Sequence, residues 1–233
     1  MIPLPVLFED DDLLIVDKPA GLVVHPTYRN PGGTLLDALA TGSRIVGRLD
    51  KLTSGAVLVA KRADVHAELQ RALAARESEK LYLALVHGIA DERGTIDLAL
   101  GADPSDRRRR IVTSGGAPSR TVFERVDAGS LADDTPTSLL QCRLLTGRRH
   151  QIRVHLAARG WPVVGDDVYG KPLEGFPRLA LHAWKLRFVH PRSGEVVRVS
   201  CPLPSELVVL LTRCDCVSRQ NHILTPSEQT SRR

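Results

Sequence analysis

The chain has 233 residues, 42% hydrophobic and 25% charged, which is ordinary globular material that can withdraw roughly 70% of its unfolded surface from water. Thirty-two Lys and Arg against 27 Asp and Glu leave a formal charge of +5, favouring a polyanionic partner, and no run reaches the ~18 apolar residues of a membrane span. The start, Met1-Ile2-Pro3-Leu4-Pro5 and then Glu9-Asp10-Asp11-Asp12, lacks the basic segment and apolar run of a secretion signal, so a cytoplasmic protein is expected.

Val6-Leu7-Phe8 and Leu13-Leu14-Ile15-Val16 are short apolar runs separated by acidic residues, a pattern of two strands joined by a tight turn. Lys18-Pro19-Ala20-Gly21 ends the second, and Leu22-Val23-Val24-His25-Pro26 reads as extended chain. After the loop Asn30-Pro31-Gly32-Gly33, Thr34 is placed to cap a short helix through Ala40. The charged turn Gly47-Arg48-Leu49-Asp50-Lys51-Leu52-Thr53-Ser54-Gly55 then falls between Arg44-Ile45-Val46 and Ala56-Val57-Leu58-Val59-Ala60. A carboxylate there, Asp50, belongs at the edge of a core beside Arg48 and Lys51. Such a carboxylate can be catalytic, structural or both.

Val65, Leu69, Ala72, Leu73 and Arg76 follow at helical spacing, predicting an amphipathic helix over residues 64–77 with Asp64 as its N-cap. Residues 80–86 read as a strand buried on both faces. Gly, Asp, Arg and Ser dominate residues 91–118, so the expectation is a short strand at 95–100 and a mobile basic loop around Arg107, Arg108, Arg109 and Arg110. Residues 121–126 and 138–144 alternate as strands across a polar loop at 128–136. Thr146-Gly147 opens a helix over about 148–159, closed by Gly160, with Arg149, Arg153 and Leu156 on one face. Residues 179–189 and 195–201 predict a hairpin across Pro191-Arg192-Ser193-Gly194, and Ser205 caps a last helix to about Thr212. From Arg213 the chain is polar and reads as a disordered tail over 213–233.

Four scattered cysteines, Cys142, Cys201, Cys214 and Cys216, offer no paired metal-ligand spacing. His25, His150, His155 and His182 are not spaced as ligands on one element and read as hydrogen-bonding residues. Many strands with three or four helices and no dividing linker predict one α+β domain over residues 1–212, built on a mixed, largely antiparallel sheet.

Several sequence blocks carry a resemblance. Gly47-Arg48-Leu49-Asp50 with Thr53-Ser54-Gly55, Lys80-x-Tyr82, Leu145-Thr146-Gly147-Arg148-Arg149-His150-Gln151-Ile152-Arg153-Val154-His155-Leu156, and Val164-Gly165-Asp166-x-x-Tyr169-Gly170 stand in series, with Lys18 to Pro26 and Leu179-Ala180-Leu181-His182-Ala183 as further segments. Together they resemble the RNA pseudouridine synthases of the RluA family over about residues 6–212. One departure stands out: the family usually has His where this chain has Gly47. The chain also shows no counterpart of the RNA-binding module that many relatives carry ahead of the catalytic domain.

The resemblance implies isomerisation of uridine in rRNA or tRNA, without cofactor or metal, by a monomer needing no protein partner. It carries the essential aspartate over to Asp50, its partner to Arg153, and a residue stacking on the flipped uracil to Tyr82. Arg48, Lys61, Arg62, Arg107, Arg108, Arg109, Arg110, Arg148, Arg149, His150 and Gln151 are the candidates for contacting RNA, the cations through phosphates. Two other classes compete with this one. A non-catalytic RNA-binding protein could retain the fold, and a glycosidase would need two facing acids, for which Asp166 and Asp167 are the candidates.

Overall fold

The computed structural model describes residues 4–28, 30–216 and 231–232. The chain divides into two compact units. The first takes in the described residues of Met1–Lys80 and Ala183–Pro202 with the short strand Ser231–Arg232, the second those of Leu81–His182 and Leu203–Thr225.

In the first unit β1 (Val6–Glu9) pairs with β2 (Leu13–Lys18), and β2 with β4 (Ser54–Ala60), all antiparallel. The short β3 (Arg44–Ile45) also pairs with β4. Alternation sorts the side chains: Leu13, Ile15, Leu58 and Ala60 face one way, Val16, Val57 and Val59 the other. Helix α1 (Ala63–Ala74) lays Val65 and Leu69 on the first face, together with Leu186, Phe188, Val197 and Val199. Val24, Leu35 and Ile45 cover the second. Each such buried aliphatic side chain contributes about 1.5–3 kcal/mol.

The second unit runs β5 (Glu79–His87, in this unit from Leu81), β10 (Pro136–Leu144), β9 (Arg120–Ser130) and β6 (Arg93–Asp97), again antiparallel. Helix α2 (Gln151–Ala158) buries Ile152, Val154 and Leu156, and Phe123 meets Trp161 edge to face with centroids 5.4 Å apart. Strands β11 (Leu181–Val189) and β12 (Val196–Ser200) form the expected hairpin, whose Ala183–Pro202 part belongs to the first unit. The pairings and the few helices make this an α+β fold.

Several local expectations need correcting. The segment after Thr34 is a single 3-10 turn (Leu36–Ala38), and Thr34 donates through N–H and Oγ1 to Asp37 instead of capping it. Helix α1 begins one residue before Asp64, which makes no cap hydrogen bond and pairs instead with Arg62 and Arg192. Residues 91–118 contain a hairpin, β7 (Leu100–Ala102) and β8 (Arg110–Val112), so the arginine block lies in and beside a hairpin connection. Helix α3 (Ser205–Arg213) has no side-chain cap at Ser205, and it runs past the expected start of the tail. Cys214 and Cys216 beyond it are buried. Residues 231–232 form β13, paired with β12; the rest of the expected disordered tail lies outside the described residues.

At φ 118° the Gly55 backbone lies in the left-handed half of conformational space, and a Cβ there would overlap the backbone of Ala183. Gly55→Ala therefore combines strain with overpacking. Thermal unfolding should show a loss of about 3 kcal/mol, lowering the midpoint by roughly 6–12 °C; an unchanged midpoint would contradict this packing.

Candidate active site

Asp50 stands on a turn closed by its own carbonyl, which accepts the Thr53 N–H at 3.1 Å. The neighbouring Lys51 carbonyl accepts the Gly21 N–H at 2.8 Å and the Lys18 ammonium at 3.2 Å. Lys18 is completely buried, and its Nζ also donates to the carbonyls of Pro19 at 2.8 Å and Leu22 at 2.9 Å. A desolvated ammonium requires such acceptors, so this lysine ties the two segments into one piece. The backbone under Asp50 is thereby fixed, while its side chain stays half-buried.

Arg48 is exposed on the same turn, and burial followed by its charge lowers the pKa of His25. A Cβ at Gly47 would meet no atom within 4 Å, so nothing steric forbids a larger residue there. Lys61 and Arg62 are less available than their sequence suggests. Lys61 reaches Glu9 and the Asp10 carbonyl, both at 2.8 Å, and Arg62 pairs with Asp12 at 2.9 Å and Asp64 at 3.3 Å. Acidic neighbours cancel much of that patch.

In the second unit, Tyr82 lies opposite Cys142 on β5, half-buried just before the fully covered Leu83, Ala84, Leu85 and Val86. Arg153 is in the first turn of α2, where the helix dipole disfavours a cation. Asp166 offsets this: Arg153 Nε donates to Oδ2 at 2.7 Å and Nη2 to Oδ1 at 2.8 Å, both side chains buried. Oδ1 also accepts the N–H groups of Val168 at 3.0 Å and Tyr169 at 3.1 Å. Burial pushes the Asp166 carboxyl up, but the Arg153 hydrogen bonds and charge, with those two N–H groups, outweigh it and hold the pKa below the ordinary value.

Helix α2 starts later than the sequence spacing predicts. His150 takes φ 58° ahead of it, so Arg149 lies outside the helix, exposed, and does not share a face with the buried Arg153. Gln151, expected at the RNA, is buried and internally satisfied. Its Oε1 accepts from Thr146 Oγ1 at 2.8 Å and Arg148 N at 3.0 Å, and its Nε2 donates to the Arg120 carbonyl and Thr121 Oγ1 at 3.0 Å. It shapes the 146–150 turn. His155 Nε2 donates to the Leu98 carbonyl at 3.0 Å, leaving Nδ1 to accept from Thr121 Oγ1 at 2.9 Å; burial lowers its pKa.

Of the arginine block, Arg108 is held by Asp106 and Arg109 lies 3.6 Å from Asp103. Arg107 is exposed and makes no ion pair among the described residues. Exposed Arg148 donates over a long 3.4 Å to the Pro118 carbonyl, and exposed Arg149 to the Arg108 carbonyl at 3.4 Å and His150 Nε2 at 3.5 Å. Two residues that the sequence reading did not place in the site organise this corner: Asp166 and Tyr169. The Gly165-Asp166-x-x-Tyr169 block was their signal. Asp166 is committed to Arg153 and Asp167 is exposed, which leaves the paired-acid glycosidase reading without support. Among the described residues no three His, Cys, Asp or Glu are grouped to hold a metal ion, and no helix is long and apolar enough to cross a membrane.

Residues 12–158 match a family model described as RNA pseudouridylate synthase. The ribosomal large subunit pseudouridine synthase D of Nitrosomonas europaea is 44% identical over 228 residues, 90% of this chain and 65% of that protein. Its namesake in Xanthomonas campestris pv. campestris is 41% identical, over 91% of this chain and 69% of that protein. The chain thus spans about two thirds of the length of these relatives. The solved human RNA pseudouridylate synthase domain containing 1 is 33% identical with a TM-score of 0.71, over 92% of this chain and 87% of that one. Human RNA pseudouridylate synthase domain containing 4, at 22% identity and TM-score 0.72, shares the fold.

The Asp166 carboxylate makes a pH-dependent prediction. A depressed carboxylate stabilises the fold above its unfolded pKa of ~3.9, and that stability is lost as pH falls through the folded value. Asp166→Asn, which removes the carboxylate that grips the buried Arg153 guanidinium, should cost roughly 3–5 kcal/mol in urea unfolding at pH 7. Its deficit against wild type should shrink below pH ~4, and an equal deficit at both pH values would contradict the pairing.

Proposed function

The chain belongs to the RNA pseudouridylate synthase family, in its RluA branch, and from that premise we propose that it converts uridine in structured RNA to pseudouridine. In this isomerisation the N-glycosidic bond breaks, the uracil turns, and carbon 5 is joined to the ribose. Neither redox change nor an added group is involved, so the reaction needs no cofactor. The observation that carries the reading is the family match, whose residues 12–158 include Asp50, Tyr82 and Arg153.

In this proposal Asp50 is the essential carboxylate, attacking the sugar or the uracil, or removing a proton from the ribose. The Lys18-braced turn supports it, because a reacting group on fixed backbone needs little reorganisation. Arg153 is the cation that the family resemblance assigns to the reaction, a role favoured by a guanidinium already fixed by Asp166. Tyr82 stacks on the flipped base, whose unstacking costs a few kcal/mol; a phenol titrating near pH ~10 is a poor base, so stacking is its main role.

The substrate proposed is large-subunit rRNA, after the name its curated relatives carry. Arg48, Arg107, Arg148 and Arg149 are the phosphate contacts, being exposed and lightly held. Lys61, Arg62, Arg108, Arg109 and Arg110 contribute less, and His150 and Gln151 shape the loop. We also place the enzyme in the cytoplasm, acting as a monomer with no obligate protein partner.

Two measurements test this. On unmodified large-subunit rRNA, pseudouridine mapping should find site-specific product with wild type and none with Asp50→Asn, while both bind RNA. Product from Asp50→Asn at the wild-type rate sinks the catalytic assignment, and RNA binding without product from wild type favours a binding-only protein. Replacing Arg107, Arg148 and Arg149 together by Ala should lower the slope of log affinity against log salt by about 2–3, near 0.7–0.9 per phosphate contact. An unchanged slope would remove them from the RNA interface.

A further inference from the structure

Tyr169 is the point where three separate pieces of the second unit meet. Its hydroxyl accepts the Arg110 backbone N–H at 2.7 Å, at the first residue of β8 and the edge of the arginine-rich connection. The same oxygen is 2.8 Å from His150 Nδ1, on the left-handed residue that precedes α2. The two rings meet edge to face with centroids 5.6 Å apart. The Arg153 and Arg109 guanidinium carbons lie 5.0 and 5.5 Å from the Tyr169 ring centroid, within cation–π range. Finally, the Tyr169 N–H is held by the Asp166 carboxylate that also grips Arg153.

We propose that Tyr169 is a positioning residue that fastens the arginine-bearing hairpin to the start of α2 and fixes the Arg153 guanidinium with the same side chain. Its two functions use different atoms. The hydroxyl holds Arg110 and His150, so it governs how ordered the hairpin is before RNA arrives. The ring lies against Arg153, so it governs that arginine's orientation. A hairpin left loose must be ordered on binding, and that ordering weakens affinity. A misaimed Arg153 slows the chemical step without weakening binding.

The inference rests on the pseudouridine synthase reading, and two substitutions separate its halves. Tyr169→Phe keeps the ring and removes the hydroxyl. With unmodified large-subunit rRNA transcript as substrate, it should raise KM about three- to tenfold, the size of a lost hydrogen-bond contribution, with a much smaller change in kcat. Hydrogen exchange at the Arg110 amide, measured on the protein alone, should accelerate by a similar factor. Tyr169→Ala should add a fall in kcat of about tenfold or more as the ring is lost. The inference is overturned if Tyr169→Phe leaves both KM and Arg110 exchange at wild-type values, or if Phe and Ala lower kcat alike with KM unmoved. Should Tyr169→Ala fail to fold, Tyr169→Phe alone decides. If wild type makes no pseudouridine, the functional reading has failed, and Arg110 exchange still decides whether the tyrosine holds the hairpin.

Discussion

A guanidinium in the first turn of a helix, buried, is an unfavourable placement twice over: it loses its hydration and it faces the positive end of the helix dipole. The second unit is arranged so that Arg153 can nevertheless sit there. Asp166 meets it with a two-pronged contact and has its other oxygen positions filled by the N–H groups of Val168 and Tyr169. That geometry needs the chain to turn sharply just before the aspartate. Gly165 provides the turn at φ 79°, where a Cβ would overlap the Arg178 carbonyl. His150, at φ 58°, sets where the helix begins and hence which way Arg153 points. The pair is thus less a source of stability than a device for aiming one cation.

The first unit solves a related problem with the opposite sign. The proposed catalytic Asp50 is half-buried, and the restraint is applied to its backbone. A buried lysine beneath the turn gathers carbonyls from Pro19, Leu22 and Lys51. A loop held by water would leave the carboxylate to wander; one held by an internal ammonium cannot relax without exposing an unpaired charge. Gly55 then brings β4 against the Ala183 backbone.

Most strands were legible because period-two alternation is a local property. Leu13, Ile15 and Val16, or Leu83, Ala84, Leu85 and Val86, announce buried strands from their own neighbourhood. Helix starts were not legible in the same way. Thr34, Asp64 and Ser205 are good capping residues by type, yet none caps a helix, because Asp37, Arg192 and the chain path at Pro204 decide otherwise. The hairpin of β7 and β8 hid behind Gly, Asp and Arg, whose order comes partly from Tyr169, 59 residues away. The return of residues 183–202 to the first unit leaves no mark in composition. Asp50 already stood out as a carboxylate between apolar runs, whereas Tyr82 and Arg153 gained a role only as members of motif blocks. Lys61, Arg62 and Gln151 show the limit of that approach, since charge or motif membership says nothing of the acids and carbonyls that occupy a side chain.

In the proposed mechanism catalysis depends on a guanidinium fork aimed by Asp166, not on positive charge alone. Arg153→Lys separates the two, because an ammonium retains the charge but cannot make the two-pronged contact. The single-turnover rate of pseudouridine formation on saturating unmodified large-subunit rRNA is the quantity to measure. Arg153→Lys should lower this rate about a hundredfold with RNA affinity nearly unchanged; a lysine variant reacting at the wild-type rate would contradict the role of the fork.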